Sequence, residues 1–193
     1  MKVKELVIVG EEGIGKTTLA NALLGWDIFP QSTWDLYIPT VECTAKMLTH
    51  QVQLTDTPGY NLLWYQVPVA VQEAVCRADT IIMLFKGFYD ADTEPTDPKE
   101  DKLLQELLTN AKTRDIYFVI PFYSEDGPVE QEEVEQDMVR AKKRFASFSD
   151  HGEYGFFCID PMMALVAAIE NDRTALETSG ILPLKAALLG REE

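Results

Sequence analysis

The sequence is poor in the residues on which several common kinds of protein depend. Only 17 of its 193 residues are Lys or Arg, against 32 Asp or Glu, so the formal net charge is −15. Such a field would repel a polyanion such as DNA or RNA. The one basic cluster, 140–144, falls near the end of a predicted helix, where positive charge complements the helix macrodipole. We therefore expect no nucleic-acid partner.

Cysteine and histidine are also scarce. The three cysteines lack C-x-x-C spacing, and the two histidines, His50 and His151, lie far apart. This pattern predicts neither a disulfide framework nor a zinc site, and it fits a reducing compartment. No apolar run approaches the ~20 residues of a membrane span, and Met1 leads into a strand-like segment without a secretory leader. We therefore expect a cytoplasmic protein without a membrane span.

Short apolar segments alternate with amphipathic ones along the chain. The first, Glu5–Gly10, is apolar over most of its length, as in strands buried on both faces. Further strands are predicted at 41–48, 51–54, 80–86, 115–121 and 154–159. Helical patterns occur at 16–24, 67–77, 99–110, 129–148, 162–177 and 181–189. Pro68 is expected in the first turn of its helix, and Ser179-Gly180 is expected to break the chain before the last one.

Strands that alternate with helices form βαβ units. The sequence therefore predicts the α/β class, as three α/β/α layers around a mainly parallel sheet of about six strands. A domain has about 100–200 residues, and no repeat or long linker divides this chain. We expect one domain over residues 1–193.

A glycine-rich motif follows the first predicted strand. Residues 10–17 (GEEGIGKT) match the P-loop pattern G-x-x-x-x-G-K-[ST]. Glycines let backbone N–H groups turn towards phosphate oxygens, and the helix N-terminus adds a favourable partial charge. Lys16 would neutralise the β- and γ-phosphates, and the Thr17 hydroxyl would ligate magnesium. The motif predicts a P-loop NTPase whose nucleotide-binding residues include Gly10, Glu12, Gly13, Ile14, Gly15, Lys16, Thr17 and Thr18.

A second motif, Asp56-Thr57-Pro58-Gly59, follows the third predicted strand, 39 residues after Thr17. A carboxylate at that strand end can hold magnesium through a water, and a glycine N–H can meet the γ-phosphate. The four residues alone would also suit a turn. Next to a P-loop at this distance, they predict that Asp56 is a metal ligand and that Gly59 binds nucleotide.

These motifs resemble those of Era-like GTPases of the translation-factor-related class. The resemblance covers about Val3 to Phe118 and is carried by Thr17–Gly25, Asp56–Tyr60 and Ala78–Phe85. It implies a P-loop GTPase that binds GTP or GDP with magnesium. It also implies that the loops before the second strand and after the third respond to the γ-phosphate.

The resemblance extends to a threonine that ligates magnesium from the first switch loop. Thr40 is the expected counterpart because it lies just before the second predicted strand, and Thr33 and Thr44 are the alternatives. We predict that Thr17, Thr40 and Asp56 hold the metal, with Lys16 and Thr40 in the catalytic set.

The chain departs from the family pattern at the residues that select the base. Where the family carries N-K-x-D, residues 120–126 are IPFYSED, and Ile159-Asp160-Pro161 stands in place of a Ser-Ala motif. The site could therefore bind guanine weakly, select another base, or stack a base on Phe122 or Tyr123. The asparagine of potassium-activated members is replaced by Gly13, so potassium activation is not implied.

The predicted switch loops carry unusual residues. Tyr60 stands where Ras-like enzymes place a glutamine that orients water, so we expect slow hydrolysis that depends on magnesium and Lys16. Apolar side chains cluster in both loops. They would either pack on the sheet or form a face for a protein partner or for self-association. They are Trp26, Phe29, Trp34, Leu36 and Tyr37 in the first loop, and Tyr60, Leu62, Leu63, Trp64 and Tyr65 in the second.

Two hypotheses from different classes follow. The first is a switch that binds GTP with magnesium, hydrolyses it slowly and regulates a protein partner. The second is a non-catalytic GTPase-like binding module. A P-loop kinase is a third and less favoured reading, since kinases need an arginine-bearing lid and this chain clusters no arginines in a suitable segment.

Overall fold

The computed structural model describes residues 2–26, 29, 42–60, 66–85, 98–109, 111, 115–122, 131–146 and 154–190. The strands are β1 (Lys4–Val9), β2 (Thr44–Thr49), β3 (Val52–Asp56), β4 (Thr80–Leu84), β5 (Ile116–Pro121) and β6 (Tyr154–Ile159). The helices are α1 (Lys16–Leu24), α2 (Val69–Arg77), α3 (Pro98–Thr109), α4 (Gln131–Arg144), α5 (Pro161–Glu170), α6 (Arg173–Thr178) and α7 (Ile181–Leu189).

The six strands form one sheet in the order β2-β3-β1-β4-β5-β6. All neighbouring strands are parallel except β2 and β3, which are antiparallel. β1 therefore lies inside the sheet, between β3 and β4: the chain continues from β1 to β2 and β3 on one side and then crosses to β4 on the other. In such sheets ligands bind at the carboxyl ends of the strands where the strand order reverses. The predicted P-loop follows β1 at this position.

Side chains of β1 alternate between two cores. Val7 and Val9 belong to one buried cluster, which also contains side chains of α2, α3 and α4. Leu6 and Ile8 belong to the other, which contains side chains of α1, α5 and α7. Because consecutive strand residues point to opposite faces, both faces of the sheet are covered by helices. The predicted three-layer α/β/α fold is confirmed.

The edge strand β2 differs from the central strands. Residues 44–47 are exposed, whereas every residue of β4 is buried. The prediction began this strand at 41, but it begins at Thr44, and residue 41 lies outside the described residues. Among the helices that the structure describes, none has the length and apolar character needed to cross a membrane.

Two helix predictions need correction. The single helix expected over 162–177 is divided into α5 and α6. Asn171 adopts a left-handed conformation with φ of 58°, and the Asp172 side chain caps α6 by accepting from the Ala175 N–H at 3.1 Å. Pro68 is the N-cap of α2 rather than part of its first turn. The expected break before the last helix is confirmed at Gly180, where φ is 77°.

Candidate phosphate and metal site

The P-loop turns sharply between β1 and α1. Gly13 and Gly15 have φ of 78° and 96°, a backbone conformation that residues other than glycine rarely adopt. Gly15 is the N-cap of α1, so the first N–H groups of the helix open towards the carboxyl end of β1. Ile14 is buried between these glycines. The loop thus has the backbone shape that binds an anion at a helix N-terminus.

Lys16 lies beneath this loop and is only 5% exposed. Its ammonium donates a 2.8 Å hydrogen bond to the carbonyl oxygen of Glu11. Burial lowers the pKa of Lys16 from 10.5 to about 8, an effect opposed by the nearby carboxylates of Asp56, Glu12 and Glu11. An anion that binds next to this buried ammonium would stabilise its charged form, because the anion compensates for the solvation lost on burial.

Thr17 and Asp56 meet at the carboxyl end of β3. The Thr17 hydroxyl donates to Asp56 Oδ2 at 2.7 Å, and Asp56 is 1% exposed. Within the described residues no three His, Cys, Asp or Glu side chains gather as a metal cluster. One hydroxyl and one carboxylate suit magnesium, which keeps several waters and takes few protein oxygens. Thr17 and Asp56 therefore fit the predicted magnesium ion. Thr40, the predicted third ligand, and its alternative Thr33 lie outside the described residues.

The segment after β3 lies directly on the P-loop. The Glu12 N–H donates to the Tyr60 carbonyl at 3.0 Å, and the Tyr60 N–H donates to the Gly10 carbonyl at 3.2 Å. A Cβ on Gly59 would lie 2.4 Å from the Glu12 Cα, so only glycine fits there. The Glu12 side chain is exposed to solvent. Its N–H, however, points at Tyr60 and not at an open cradle.

The aromatic residues of the predicted switch loops divide into two groups. Tyr60 is completely buried and Phe29 is 2% exposed, so neither contributes to an exposed partner face. Trp26 is 69% exposed. The remaining members, at 34, 36, 37 and 62–65, lie outside the described residues.

The contact between Asn21 and Phe29 was not predicted from the sequence. It is buried on α1, and its side chain bonds both main-chain groups of Phe29: Nδ2 donates to the carbonyl at 2.9 Å, and Oδ1 accepts from the N–H at 2.8 Å. A polar residue within an apolar helix was the available signal. The main-chain hydrogen bonds between Tyr60 and the P-loop gave no such signal, because they join segments that are distant in the sequence.

The end of the site expected to hold the base is organised differently. Phe122 N–H donates to the Ile159 carbonyl at 2.9 Å, which fixes the chain after β5 beside β6. Asp160 is 1% exposed, and its carboxylate caps α5 by accepting from the Met163 N–H at 2.8 Å. This carboxylate therefore serves helix α5. Tyr123 and residues 124–126 lie outside the described residues.

Comparison with known families agrees with this geometry. The family of 50S ribosome-binding GTPases matches residues 5–146. The chain belongs to this GTPase family. The match confirms the expected Era-like P-loop GTPase relationship, and the six-stranded sheet has the corresponding fold.

Curated relatives match only part of the chain. The tRNA modification GTPase MnmE of Endomicrobium trichonymphae is 34% identical over 102 residues, which are 47% of this chain and 20% of that protein. Septin-2A of Xenopus laevis is 35% identical over 67 residues, which are 29% of this chain and 19% of that protein. The matched segments thus span about a fifth of the length of these relatives.

Solved structures share the fold at low sequence identity. Era of Aquifex aeolicus, in a variant bound to GDP·AlF4−, superposes with a TM-score of 0.54 at 21% identity, over 92% of this chain and 57% of that one. A chain of an oligomerised bacterial dynamin pair superposes with a TM-score of 0.68 at 14% identity, over 97% of this chain and 45% of that one.

Proposed function

We propose that this protein is a nucleotide-dependent switch that binds GTP and GDP with magnesium and hydrolyses GTP slowly. One observation carries the proposal. The Thr17 hydroxyl lies 2.7 Å from Asp56 Oδ2, directly beside a buried lysine at the N-terminus of α1. The pair that would ligate the metal and the cation that would bind phosphate thus lie together at the carboxyl ends of β1 and β3. Membership of the GTPase family supports the same function.

Each residue then has a role that its position supports. Gly13 and Gly15 allow main-chain N–H groups to surround phosphate oxygens, and Lys16 compensates negative charge on the β- and γ-phosphates. Thr17 would bind magnesium directly, and Asp56 would bind it through a water. When bound, magnesium neutralises charge that develops on the phosphate oxygens. Thr40 remains the proposed third ligand, from the first switch loop.

The position of Tyr60 supports the proposal of slow turnover. The side chain that would have to orient a water is completely buried in the core under α2 and α3. We infer that hydrolysis depends on charge stabilisation by Lys16 and magnesium, with the attacking water held by main-chain groups or by a partner protein. The proposed role is regulation of a protein partner by the bound nucleotide, in the cytoplasm and within a single domain.

The test is a titration followed by a single-turnover assay. Purified protein is titrated with GDP and with a non-hydrolysable GTP analogue, with and without magnesium, and release of phosphate from GTP is then followed. Lys16→Ala is the site variant, and Lys46→Ala removes an exposed lysine of β2 as the matched control. We expect magnesium-dependent binding and slow phosphate release, both lost in Lys16→Ala alone.

The other outcomes are distinct. Tight binding without phosphate release would favour the non-catalytic binding module, in which nucleotide has a structural role. Absence of binding by the wild type in every state would contradict the proposal. Transfer of phosphate to a small acceptor, rather than to water, would favour a kinase.

A further inference from the structure

Glu12 adds a carboxylate to the P-loop, next to the segment that follows β3. A Cβ on Gly59 would lie 2.4 Å from the Glu12 Cα and 2.8 Å from the Glu12 Cβ. The Glu12 N–H donates to the carbonyl of the following residue, Tyr60, at 3.0 Å. The Glu12 side chain therefore leaves the main chain directly beside Gly59, at the edge of the sheet where the candidate site lies.

The charge of Glu12 reaches the site although its side chain is exposed. The charged form of Lys16 is favoured by three nearby carboxylates, which are, in decreasing order of effect, those of Asp56, Glu12 and Glu11. Glu12 thus acts on the Lys16 ammonium more strongly than Glu11, whose main-chain carbonyl is hydrogen-bonded to that ammonium at 2.8 Å. A carboxylate that attracts this ammonium also repels an anion bound beside it.

GTP and GDP would meet this repulsion to different extents. Under the proposed function, the Gly59 N–H meets the γ-phosphate, and the Glu12 main chain lies against Gly59. GDP carries no phosphate at that place. Because the Coulomb energy of two charges falls with the distance between them, the Glu12 carboxylate opposes the γ-phosphate more than the phosphates that both nucleotides share.

We propose that Glu12 is a specificity-determining residue, whose carboxylate lowers the affinity of the site for GTP relative to GDP by repelling the γ-phosphate. This inference rests on the proposed function and adds to it the residue that sets the balance between the two nucleotides. Because the Glu12 side chain is exposed to solvent, salt screens its charge. The balance therefore depends on ionic strength as well as on the residue at position 12.

The first test is the ratio of the affinities for a non-hydrolysable GTP analogue and for GDP. Both are measured by calorimetric titration with magnesium at an ionic strength of about 0.1 M, where charges interact over about 10 Å. Glu12→Gln keeps the size of the side chain and removes its charge, so the ratio should shift towards the triphosphate by about fivefold. Glu12→Ala should shift it in the same direction. Glu12→Asp keeps the charge and should stay within about twofold of the wild-type ratio.

Glu170→Gln is the matched control. It removes the same charge from an exposed side chain at the last residue of α5, a helix that begins at the carboxyl end of β6 and ends ten residues later. Glu170 therefore lies a full helix length from that edge of the sheet, about 15 Å along the helix axis. This variant should keep the wild-type ratio.

The second test repeats the titrations of the wild type and of Glu12→Gln in about 1 M NaCl. At this ionic strength charges interact over only about 3 Å, so the difference between the two ratios should fall below about twofold. An equal difference at both ionic strengths would refute electrostatic repulsion as its cause.

The results separate this inference from the proposed function. If Glu12→Gln keeps the wild-type ratio, or if Glu12→Asp shifts it as much as Glu12→Gln does, the carboxylate charge does not set the preference and the inference is refuted. A shift in Glu170→Gln as large as that in Glu12→Gln would refute it too, since the net charge of the chain would then explain the effect. If neither the wild type nor Glu12→Gln binds either nucleotide, the proposed function itself fails, and this inference with it.

Discussion

The two ends of the candidate nucleotide site are built in different ways. At the phosphate end, the P-loop, Lys16, Thr17 and Asp56 keep the family pattern and lie together within hydrogen-bonding distances. At the base end, the family's selective motifs are replaced, and the carboxylate of Asp160 caps a helix. The comparison teaches that the two kinds of recognition have separate physical requirements, and one can be kept while the other changes.

The difference follows from what each end must recognise. Phosphate is bound by main-chain N–H groups and by a single cation, which a short glycine-rich turn provides at almost any sequence between its fixed residues. Selection of a base needs side-chain donors and acceptors aimed at ring edges. We therefore expect substitutions at the phosphate end to have large effects and base substitutions in the ligand to have small ones.

The largest effect is expected for Lys16→Ala. The ammonium is buried beside the proposed phosphate cradle, so its removal would leave a bound anion without its principal counter-charge. Affinity for GDP and for the GTP analogue should fall by about 100-fold or more, as for loss of a charge-assisted hydrogen bond with its Coulombic term. Calorimetric titration measures this change. An effect equal to that of Lys46→Ala would contradict the assigned role.

A smaller effect is expected at the metal pair. Asp56→Asn and Thr17→Val each remove one oxygen ligand of the proposed magnesium site while keeping similar volume. We expect the stimulation of nucleotide affinity by magnesium to fall by about 10-fold to 30-fold, with little change in the magnesium-free affinity. Titrations in the presence of magnesium and in the presence of EDTA give the nucleotide affinities with and without the metal. A loss that is equal in both conditions would point to damage of the fold instead.

The third prediction concerns pH. The pKa of Lys16 is lowered to about 8 in the free protein, and bound phosphate should raise it again. Above pH 8 the free protein has lost this proton and must regain it on binding, so affinity should fall by up to about tenfold per pH unit. Lys16→Met should show no such slope. A wild-type affinity that is flat between pH 7.5 and 9.5 would exclude the assigned cation.

Lys16 also makes the stability of the free protein depend on pH, but here stability rises with pH whereas nucleotide affinity falls. Between about pH 8 and 10.5 the unfolded chain still holds the Lys16 proton while the folded free protein releases it. The unfolding free energy should therefore rise over this interval, because the unfolded state binds more protons. Urea unfolding of the wild type and of Lys16→Met, measured at about pH 8 and pH 10.5, gives the contribution of Lys16 to this pH dependence.

The fourth prediction concerns the base. Because the selective motifs are replaced, the affinities for GTP and ATP should differ by less than about tenfold, far below the discrimination that a complete set of buried polar contacts provides. Competition of unlabelled GTP and ATP against a fluorescent GDP analogue measures the ratio. A preference for guanine above about 1,000-fold would show that residues outside the described part of the chain supply the missing contacts.

The smallest effect is expected for Asp160→Ala. Its carboxylate caps α5 and is buried, so its removal should lower the unfolding free energy by about 1 kcal/mol while nucleotide affinity stays unchanged. Asp172→Ala removes the exposed cap of α6 and serves as the matched control, with a smaller loss. A large loss of nucleotide affinity in Asp160→Ala would show that this carboxylate contacts the base after all.

Much of the fold and of the phosphate end could be predicted from local sequence patterns. The apolar run of β1 and the glycine spacing of the P-loop depend on neighbouring residues, so they are visible in the sequence. The division of 162–177 was missed although residues 170–174 (ENDRT) interrupt the apolar pattern, because Asn and Asp also occur within helices and nothing periodic shows that Asn171 ends one helix and Asp172 caps the next. The sequence left open whether Tyr60 packs on the sheet or faces a partner, because its burial depends on pairing with Glu11, a residue 49 positions away.

The central claim is that the turn between β1 and α1 holds the phosphates of a nucleotide. The most direct test is to follow the backbone amide NMR signals of Gly13, Gly15, Lys16 and Thr17 while GDP and magnesium are added. The account predicts that these four signals shift together and saturate at one nucleotide per chain, and that the signals of Gly13, Gly15 and Thr17 stay unchanged in Lys16→Ala under the same conditions. Saturable binding that leaves all four signals in place would contradict it.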